Sequence, residues 1–469
     1  MQRLAVPLLV FLQVLLSLNL GNTAFEDEAL YIQAGKDLLA HWQTGVVAPD
    51  YGVFFSGAPL AYPLLAGFLD RIGGLELVRS FSMACIVVAM LSTRATAAHV
   101  FSQRAGDLTG FAFAVTGPVV FLSALATFDA LCLMLLSVAL RLAVTQTSRS
   151  SAVLVGLALA AATVVKYTSA VFLPVVLAMV LVAAGRQTGR NRLVRFLTAA
   201  LVTAVAIGLL YGLWGREVHD GIVLTTASRE VLNPTPNSQL AGYFARDIGL
   251  LTLLALVGGY SLIRSLRSAL LVLLLFTGAF ALVLSHLHLG ESVSFEKHLA
   301  YSALFLAPLA GRSLAYLAKS TMHMMLLAAL MVVMLVSGTS RAGGMYQWPN
   351  VEPVVAVVMA ENPEAGMYLS TQAYPLRYHT WDEHPEIQWV PHYNIAASSP
   401  EAIRQSVEDG TYEMFVWSAD SAGSSAEDPQ IAVLRQAVQD SPRYRLVTEP
   451  FRAPAWGGEQ VWHVYELKG

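Results

Sequence analysis

A short acidic cluster follows the first apolar run of the chain. It occupies residues 25–31, with the sequence FEDEALY, directly after an apolar stretch near residues 4–21. Adjacent carboxylates raise one another's pKa values, and a carboxylate with a raised pKa is suited to act as a general base. A helix that begins here would also favour acids in its first turn through the helix dipole alone. Both interpretations fit the spacing, so the three adjacent acids, Glu26, Asp27 and Glu28, are candidates either for catalysis or for helix capping.

Further charged residues recur where apolar runs meet. Asp129 lies in the sequence TFDA, and Lys166 separates two apolar runs with almost no loop between them. Lys297 and His298 directly precede a late apolar run. A lysine near a membrane surface often only extends its ammonium group towards water, but an ionisable group between apolar helices is costly and tends to be functional. Carboxylates can deprotonate a nucleophile or hold a divalent cation, and cations can bind phosphate.

The elements that must position these residues are membrane-spanning helices. Of the 469 residues, 55% are hydrophobic and only 13% are charged, whereas an ordinary soluble domain carries roughly 25% charged residues. The composition excludes a set of soluble domains, and the net charge of -3 excludes a strongly basic nucleic-acid-binding protein. The two cysteines both lie in apolar runs, so no disulfide framework is indicated.

Apolar windows predict a polytopic α-helical membrane protein with about 11 transmembrane helices. The windows lie near residues 4–21, 77–99, 107–126, 130–146, 151–165, 167–185, 194–214, 247–263, 268–286, 299–318 and 321–338. Within the first outer loop, residues 22–76, the piece 59–69 is apolar but too short to cross, which predicts an interfacial or re-entrant helix. A cleaved signal peptide is the alternative for the first window, although Asn22 disfavours cleavage because it is not small.

The distribution of basic residues predicts the orientation. With the N-terminus in the cytoplasm, the cytoplasmic loops and span ends carry 13 basic residues against one acid, Asp107. The basic residues are Arg3, Arg94, Arg104, Arg141, Arg149, Arg186, Arg190, Arg192, Arg195, Arg264, Arg267, Arg312 and Lys319. An odd number of spans then places the C-terminal tail outside the cytoplasm, on the same side as the candidate site residues.

The C-terminal tail is predicted to be a small soluble α/β domain. Residues 341–469 carry 17 acidic against 8 basic side chains, so we divide the chain into a transmembrane catalytic domain, 1–340, and an extracytoplasmic α/β domain, 341–469. The tail pattern predicts strands near 366–370, 414–417, 446–447 and 460–467, helices near 400–407 and 431–438, and either at 354–359. Residues 374–384, with the sequence YPLRYHTWDEH, fit either a sugar or metal contact or a polar loop at the sheet edge.

Five sequence segments resemble motifs of the GT-C superfamily glycosyltransferases. They are nearest to the group of dolichyl-phosphate-mannose protein mannosyltransferases, aminoarabinose transferases and RgtA-like transferases (glycosyltransferase family 39-like). In order, the segments are FEDEALY at 25–31, APLAYPLL at 58–65, FDAL at 128–131, residues 156–169 with VKYTS at their end, and EKHL at 296–299 followed by Pro308. Two departures stand out: the aminoarabinose-type enzymes carry a Glu-Lys pair where this chain has residues 56–58, Ser-Gly-Ala, and Val165 replaces a threonine.

The resemblance implies a GT-C type fold and sugar transfer from a polyprenyl-phosphate donor to an extracytoplasmic lipid, glycan or protein acceptor, with inversion. In such enzymes one base deprotonates the acceptor, and the leaving phosphate needs positive charge. Asp27 corresponds to the general base, Glu28 to a residue that orients the acceptor or tunes Asp27, and Asp129 to a support for Asp27. The residues implied in donor-phosphate binding are Lys166, Tyr167, Lys297 and His298. A divalent ion (Mg, Mn or Zn) at Asp27 and Asp129 is a further expectation.

Two other functions fit the composition. A transporter or flippase of an envelope lipid or sugar would place its polar groups near the bilayer midplane, often with an internal repeat; here the charges gather at the outer span ends and no repeat is evident. A catalytically inert relative that scaffolds an envelope complex is the other alternative, kept open by the departure at residues 56–58. A short chain without glycosylation sequons in its tail favours a bacterial inner membrane.

Overall fold

The structure, a computed structural model, divides by its internal contacts into two units. The described residues are 2–18, 20–53, 55–58, 60–182, 188–223, 234–317, 321–361, 363–395, 399–419, 429–455 and 458–468. The first unit comprises Met1–Leu20 and Ala34–Gly343, and the second comprises Gly21–Gln33 and Gly344–Gly469. The second unit therefore contains the acidic cluster as well as the tail, and two helices, Glu26–Thr44 and Thr321–Met345, contribute residues to both units.

Helices dominate the first unit. An apolar run in a membrane must satisfy its backbone polar groups within itself, and an α-helix does so. The helices are α1 (Gln2–Ser17), α2 (Glu26–Thr44), α3 (Tyr62–Val100), α4 (Gln103–Ala114), α5 (Gly117–Ala124), α6 (Phe128–Thr145), α7 (Arg149–Val165), α8 (Leu173–Val182), α9 (Gly189–Ile222), α10 (Asn237–Tyr260), α11 (Leu266–Leu289), α12 (Phe295–Leu317) and α13 (Thr321–Met345). Short 3-10 turns occupy Tyr51–Val53 and Tyr167–Phe172. Each predicted apolar window coincides with a helix or with two successive helices.

The chain is a multi-pass membrane protein. Among the described residues, six helices are long and apolar enough to cross a membrane: α3, α6, α9, α10, α11 and α13. The number rises to seven if α4 and α5, which meet at an angle of 67°, form one bent span. The shorter apolar helices are Leu4–Ser17, Arg149–Val165 and Tyr167–Val182. The count of about 11 spans stays a prediction.

The short helix predicted at 59–69 is part of α3. Pro59 lies outside the described residues, and the helix begins at Tyr62. It breaks at Gly73 and Gly74, and Gly74 takes the left-handed region with φ 65°, where glycine is favoured. The first segment of α3 is therefore distinct from the long segment that follows the break.

Close glycine contacts join the start of α3 to α2 within the first unit. A Cβ atom on Gly35 would lie 1.9 Å from the carbonyl oxygen of Pro63, and one on Gly67 would lie 2.5 Å from the backbone of Gly35. This approach brings together a buried ion pair, in which Lys36 Nζ lies 2.8 Å from Asp70 Oδ2. The contact has room only for glycine on both helices.

A mixed sheet forms the centre of the second unit. Its strands are β1 (Gly366–Ser370), β2 (Ile387–Pro391), β3 (Met414–Ala419), β4 (Tyr444–Leu446), β5 (Phe451–Ala455) and β6 (Gly458–Leu467), in the order β2-β1-β3-β6-β4, with β5 also paired to β6. The helices are α14 (Glu352–Ala360), α15 (Ala373–Thr380), α16 (Pro400–Glu408) and α17 (Pro429–Asp440), with a 3-10 turn at His392–Ile395. The strands β1, β2 and β3 are parallel, and β6 runs antiparallel to β3.

The alternation of side chains along the strands places a buried cluster on each face of the sheet. On β1, Tyr368 belongs to one cluster and Leu369 to the other. The predicted strands at 366–370, 414–417, 446–447 and 460–467 and the predicted helices near 400–407 and 431–438 are present, at times shifted by a few residues. The segment 354–359, which fitted either type, is helical.

Candidate functional site

Asp129 and Lys166 form a buried ion pair in the first unit. Asp129 lies in the first turn of α6, and Lys166 follows the last residue of α7 with an extended backbone, φ -148° and ψ 111°. Lys166 Nζ lies 2.5 Å from Asp129 Oδ1, and the two side chains are 4% and 1% exposed. Tertiary folding therefore joins two residues that lie 37 positions apart in the chain.

The extended backbone at Lys166 is held by a backbone pairing with residues 56–58. The amide of Tyr167 donates to the carbonyl of Ser56 over 2.6 Å, and the amide of Ala58 donates to the carbonyl of Val164 over 2.8 Å. Between these two bonds, a Cβ on Gly57 would lie 2.1 Å from the carbonyl oxygen of Val165. Within the departure at residues 56–58, Gly57 thus has a structural reason, since only glycine permits this approach.

Aromatic rings surround the ion pair. Lys166 Nζ lies 4.8 Å from the centre of the Phe128 ring and 5.8 Å from that of Tyr301. The hydroxyl of Tyr301 donates to Asp129 Oδ1 over 3.1 Å, and its ring stacks on Phe172 at 5.6 Å. Both charged side chains are buried, so they interact more strongly than they would at a surface.

Two histidines form a hydrogen-bonded chain beside the ion pair. His286 Nε2 and His298 Nδ1 are 2.6 Å apart, and His286 Nδ1 lies 2.5 Å from the carbonyl oxygen of Glu291. A carbonyl only accepts, so His286 Nδ1 carries a hydrogen, and the two facing nitrogens share one further proton. The ring of His298 lies 6.1 Å from that of Tyr301. Sequence reasoning assigned no role to His286, although its closeness in sequence to the EKHL segment is a signal that could have found it.

Lys297 is buried beside His298 at the start of α12 and interacts electrostatically with Asp129. Tyr167 is also buried, directly after Lys166, and its described hydrogen bond is made by its backbone amide. The first unit therefore brings Asp129, Lys166 and Tyr301 into direct contact, with Lys297 and the histidine pair close by in the same unit.

Asp27 and Glu28 belong to the second unit, at the start of α2. Glu28 is fully buried, and its Oε2 accepts a hydrogen bond of 2.8 Å from the amide of Phe25. This is half of a capping box, in which the third residue of a helix satisfies the amide that precedes it. Asp27 is half-buried in the first turn. Capping thus accounts for one acid of the cluster, and Asp27 remains the candidate base.

The predicted sugar or metal stretch at 374–384 forms α15 and the turn after it. His379 Nε2 accepts a hydrogen bond of 3.2 Å from the amide of Ala24, and Arg377 lies over the ring of Trp381 at 5.2 Å. His384 pairs with Glu386 over 2.9 Å. Within the described part of the chain, no group of three or more His, Cys, Asp or Glu residues could hold a metal ion.

The donors near Asp129 do not fit a divalent ion. Oδ1 of Asp129 already accepts from Lys166 and from Tyr301, and an ammonium group in contact with a carboxylate repels a second cation. The expectation of a metal at Asp27 and Asp129 stays a prediction, and we derive no step from it.

The chain matches one family model over part of its length. The model is that of dolichyl-phosphate-mannose-protein mannosyltransferase, and the match covers residues 58–214, which include Asp129, Lys166 and Tyr167. No curated protein matches the chain.

Several solved structures share the fold at low sequence identity. The archaeal oligosaccharyltransferase AglB from Archaeoglobus fulgidus is 12% identical, with a TM-score of 0.62, over 89% of this chain and 69% of that chain. ArnT from Cupriavidus metallidurans in the apo state is 15% identical, with a TM-score of 0.60, over 98% of this chain and 97% of that chain. The mycobacterial arabinofuranosyltransferase AftD matches 100% of this chain at 15% identity and a TM-score of 0.57, but this covers only 40% of AftD.

The resemblance to the GT-C glycosyltransferases is confirmed. The fold of this chain is theirs, and a family model of the same group covers the segment with the buried ion pair. The roles of the individual residues are a separate matter.

Proposed function

We propose that this protein is an integral membrane glycosyltransferase that moves a sugar from a polyprenyl-phosphate donor to an extracytoplasmic acceptor. The observation that carries the proposal is the buried Asp129–Lys166 pair, with Lys297 and His298 in the same unit. Two solved relatives of the same fold support the donor class: AglB was determined with a dolichol-phosphate and ArnT with undecaprenyl phosphate.

The cations of the first unit are suited to the leaving phosphate. Transfer of the sugar leaves negative charge on the phosphate oxygens, and fixed cations in a site without water stabilise that charge strongly. Lys166 has three N–H donors and uses one on Asp129, so a phosphate can accept from another. We assign Lys166, Lys297 and His298 to phosphate binding, with Asp129 holding the ammonium group in place. We assign Tyr167 to the same donor site, because the bond from its amide to the Ser56 carbonyl holds the backbone next to Lys166.

Asp27 is our candidate for the general base. It would remove the proton of the acceptor while the acceptor oxygen bonds to the anomeric carbon and the bond to the phosphate breaks, which inverts the configuration. A base positioned in this way contributes about 10²–10⁴-fold to the rate. Glu28 supports Asp27 indirectly, since its carboxylate caps the helix turn on which Asp27 lies.

The proposed setting is a bacterial inner membrane, with the N-terminus in the cytoplasm and the second unit outside. The excess of basic residues on one set of loops supports this orientation. In it, the polyprenyl tail of the donor stays in lipid. The acceptor class, whether a lipid, a glycan or a protein, is to be decided by the assay.

The test is a transfer assay on the purified chain in liposomes, with labelled polyprenyl-phosphate sugars and a panel of lipid, glycan and peptide acceptors. Wild type is compared with Asp27→Asn, and Asp107→Asn is the control because Asp107 pairs with Arg94 on the predicted cytoplasmic side. We expect transfer by wild type and the control, and at least a 100-fold loss in Asp27→Asn. Full transfer by Asp27→Asn would exclude it as the base, and sugar-lipid movement without transfer would favour a flippase.

A further inference from the structure

Residues 22–25 lie between α1 and α2, and they contact residues 346–379 of the same unit. The side chain of Asn22 donates to the carbonyl of Tyr346 over 3.0 Å and to the carbonyl of Trp348 over 2.7 Å. Both hydrogens of one amide group are thus used, and both acceptors lie on the same short segment. Asn22 is therefore bound in a single orientation.

Trp348 provides the second half of this contact. Its indole Nε1 donates to the carbonyl of Thr23 over 2.9 Å, and its ring lies 5.1 Å from that of Phe25. The hydroxyl of Thr23 accepts from the amide of Val351 over 3.3 Å. Trp348 is only 2% exposed, so these bonds are made away from water, where an unmade bond is costly.

The contact continues to the residue before α2. The amide of Ala24 donates to His379 Nε2 over 3.2 Å, and Ala24 is fully buried. Next, the amide of Phe25 is satisfied by Glu28. The backbone that enters the helix is thus bonded at successive residues, and Asp27 follows within the first turn.

We propose that the C-terminal domain positions Asp27, with Asn22 and Trp348 as positioning residues. This rests on the proposed function, in which Asp27 is the base. The start of a helix is set by the residues that precede its first turn, so the bonds at 22–24 determine where the Asp27 carboxylate lies. The domain then contributes to the rate of transfer through the geometry of Asp27.

The expected signature is a loss of turnover without a loss of donor affinity. A displacement of about 1 Å at a reacting group costs on the order of 100-fold in rate. The proposed phosphate-binding residues all belong to the first unit, so the KM for the donor should stay within about two-fold of wild type while kcat falls about 10- to 100-fold.

The experiment compares Trp348→Phe with Trp389→Phe in the full-length protein. Both indoles are buried and each donates one hydrogen bond, but Trp389 donates to Thr380 inside the C-terminal domain, over 3.0 Å. Each variant is measured for kcat, KM and thermal unfolding, and amide hydrogen exchange is followed over residues 22–31. We expect Trp348→Phe to lower kcat and to speed exchange there by at least 10-fold, whereas Trp389→Phe changes neither.

Asn22→Asp is the second variant, since it keeps the shape of Asn22 and removes both donors. It should reproduce the effects of Trp348→Phe on kcat and on exchange, and it provides the same test if Trp348→Phe folds poorly. Equal kcat and equal exchange in Asn22→Asp, Trp348→Phe and Trp389→Phe would overturn the inference. Faster exchange with unchanged kcat would overturn it too, because the contact would then hold the segment without serving the reaction. Transfer that survives Asp27→Asn would instead overturn the proposed function, and the exchange result would still report on the contact.

Discussion

The two units hold their candidate carboxylates in opposite ways. Asp129 is fully buried, and an ammonium group and a phenol hydroxyl both bond to one of its oxygens. Asp27 is half-buried at the start of a helix whose entry is held by an amide, an indole, backbone carbonyls and the Glu28 carboxylate. A buried carboxylate with a cationic partner keeps its charge and provides an electrostatic environment, whereas we propose that the carboxylate at the start of the helix accepts a proton.

This comparison predicts that the ion pair is the more sensitive region for stability. Lys166→Met removes the ammonium group in contact with the buried Asp129 carboxylate, which costs about 3–5 kcal/mol in the free energy of unfolding. Transfer should be abolished as well. Combining Lys166→Met with Asp129→Asn should recover much of the stability but none of the transfer.

Thermal unfolding in detergent and the transfer assay check this pair of variants. Arg94→Met is the matched control, because Arg94 Nη2 and Asp107 Oδ1 form an ion pair of 2.6 Å with more exposed side chains. A single Lys166→Met variant that unfolds like wild type would show that the pair does not hold the fold.

Asp27→Asn should behave in the reverse manner. We expect its transfer rate to fall by about 10²–10⁴-fold, with the free energy of unfolding within about 0.5 kcal/mol of wild type. The change removes one charge and keeps the side-chain shape. A stability loss as large as that of Lys166→Met would remove the contrast between the two carboxylates.

Gly57→Ala tests the backbone pairing beneath Lys166. The added Cβ would lie 2.1 Å from the carbonyl oxygen of Val165, so the backbone must shift, at a cost of about 1–3 kcal/mol. Donor KM should rise because Lys166 moves with that backbone. Gly189→Ala is the control, since nothing lies within 4 Å of its Cβ position. Identical melting temperatures and donor KM values for the two variants would contradict the prediction.

The smallest effect is expected at Glu28. Glu28→Ala should cost about 1 kcal/mol through loss of the bond to the Phe25 amide, whereas Glu28→Gln should keep that bond. Circular dichroism melts and the transfer rate would be compared for both. A Glu28→Gln variant that is stable yet loses transfer would show that the charge of Glu28 serves the reaction directly.

Much of the fold was predictable from the hydrophobic pattern. Most of the described residues in each apolar window are helical, because length and apolarity decide which segments suit a bilayer. The tail strand at 460–467 followed from its valines and aromatic residues, and the strand at 366–370 from its short apolar run with Tyr368. The parallel strand β2 and the short strand β5 were not predicted, since each is stabilised by pairing with a strand distant in sequence or by a local hairpin.

The candidate site was predictable residue by residue but not as a set of contacts. Asp129 and Lys166 stood out because charges in apolar runs are costly, yet their spacing gave no sign that they pair. The Ser-Gly-Ala segment at 56–58 read as a departure from the family pattern, and only the backbone pairing shows why glycine is needed there. His286 gained a partner through the packing of α11 against α12.

The sequence by itself determined that the chain crosses a membrane, that its tail has the pattern of an α/β domain, and which residue types are available for chemistry. These follow from composition and periodicity, which are local properties. Tertiary structure alone decided which charges pair, which histidine faces which, and that residues 22–25 bond to residues 346–379. Those contacts join residues far apart in the chain, and their strength depends on the exclusion of water, which only the packed structure provides.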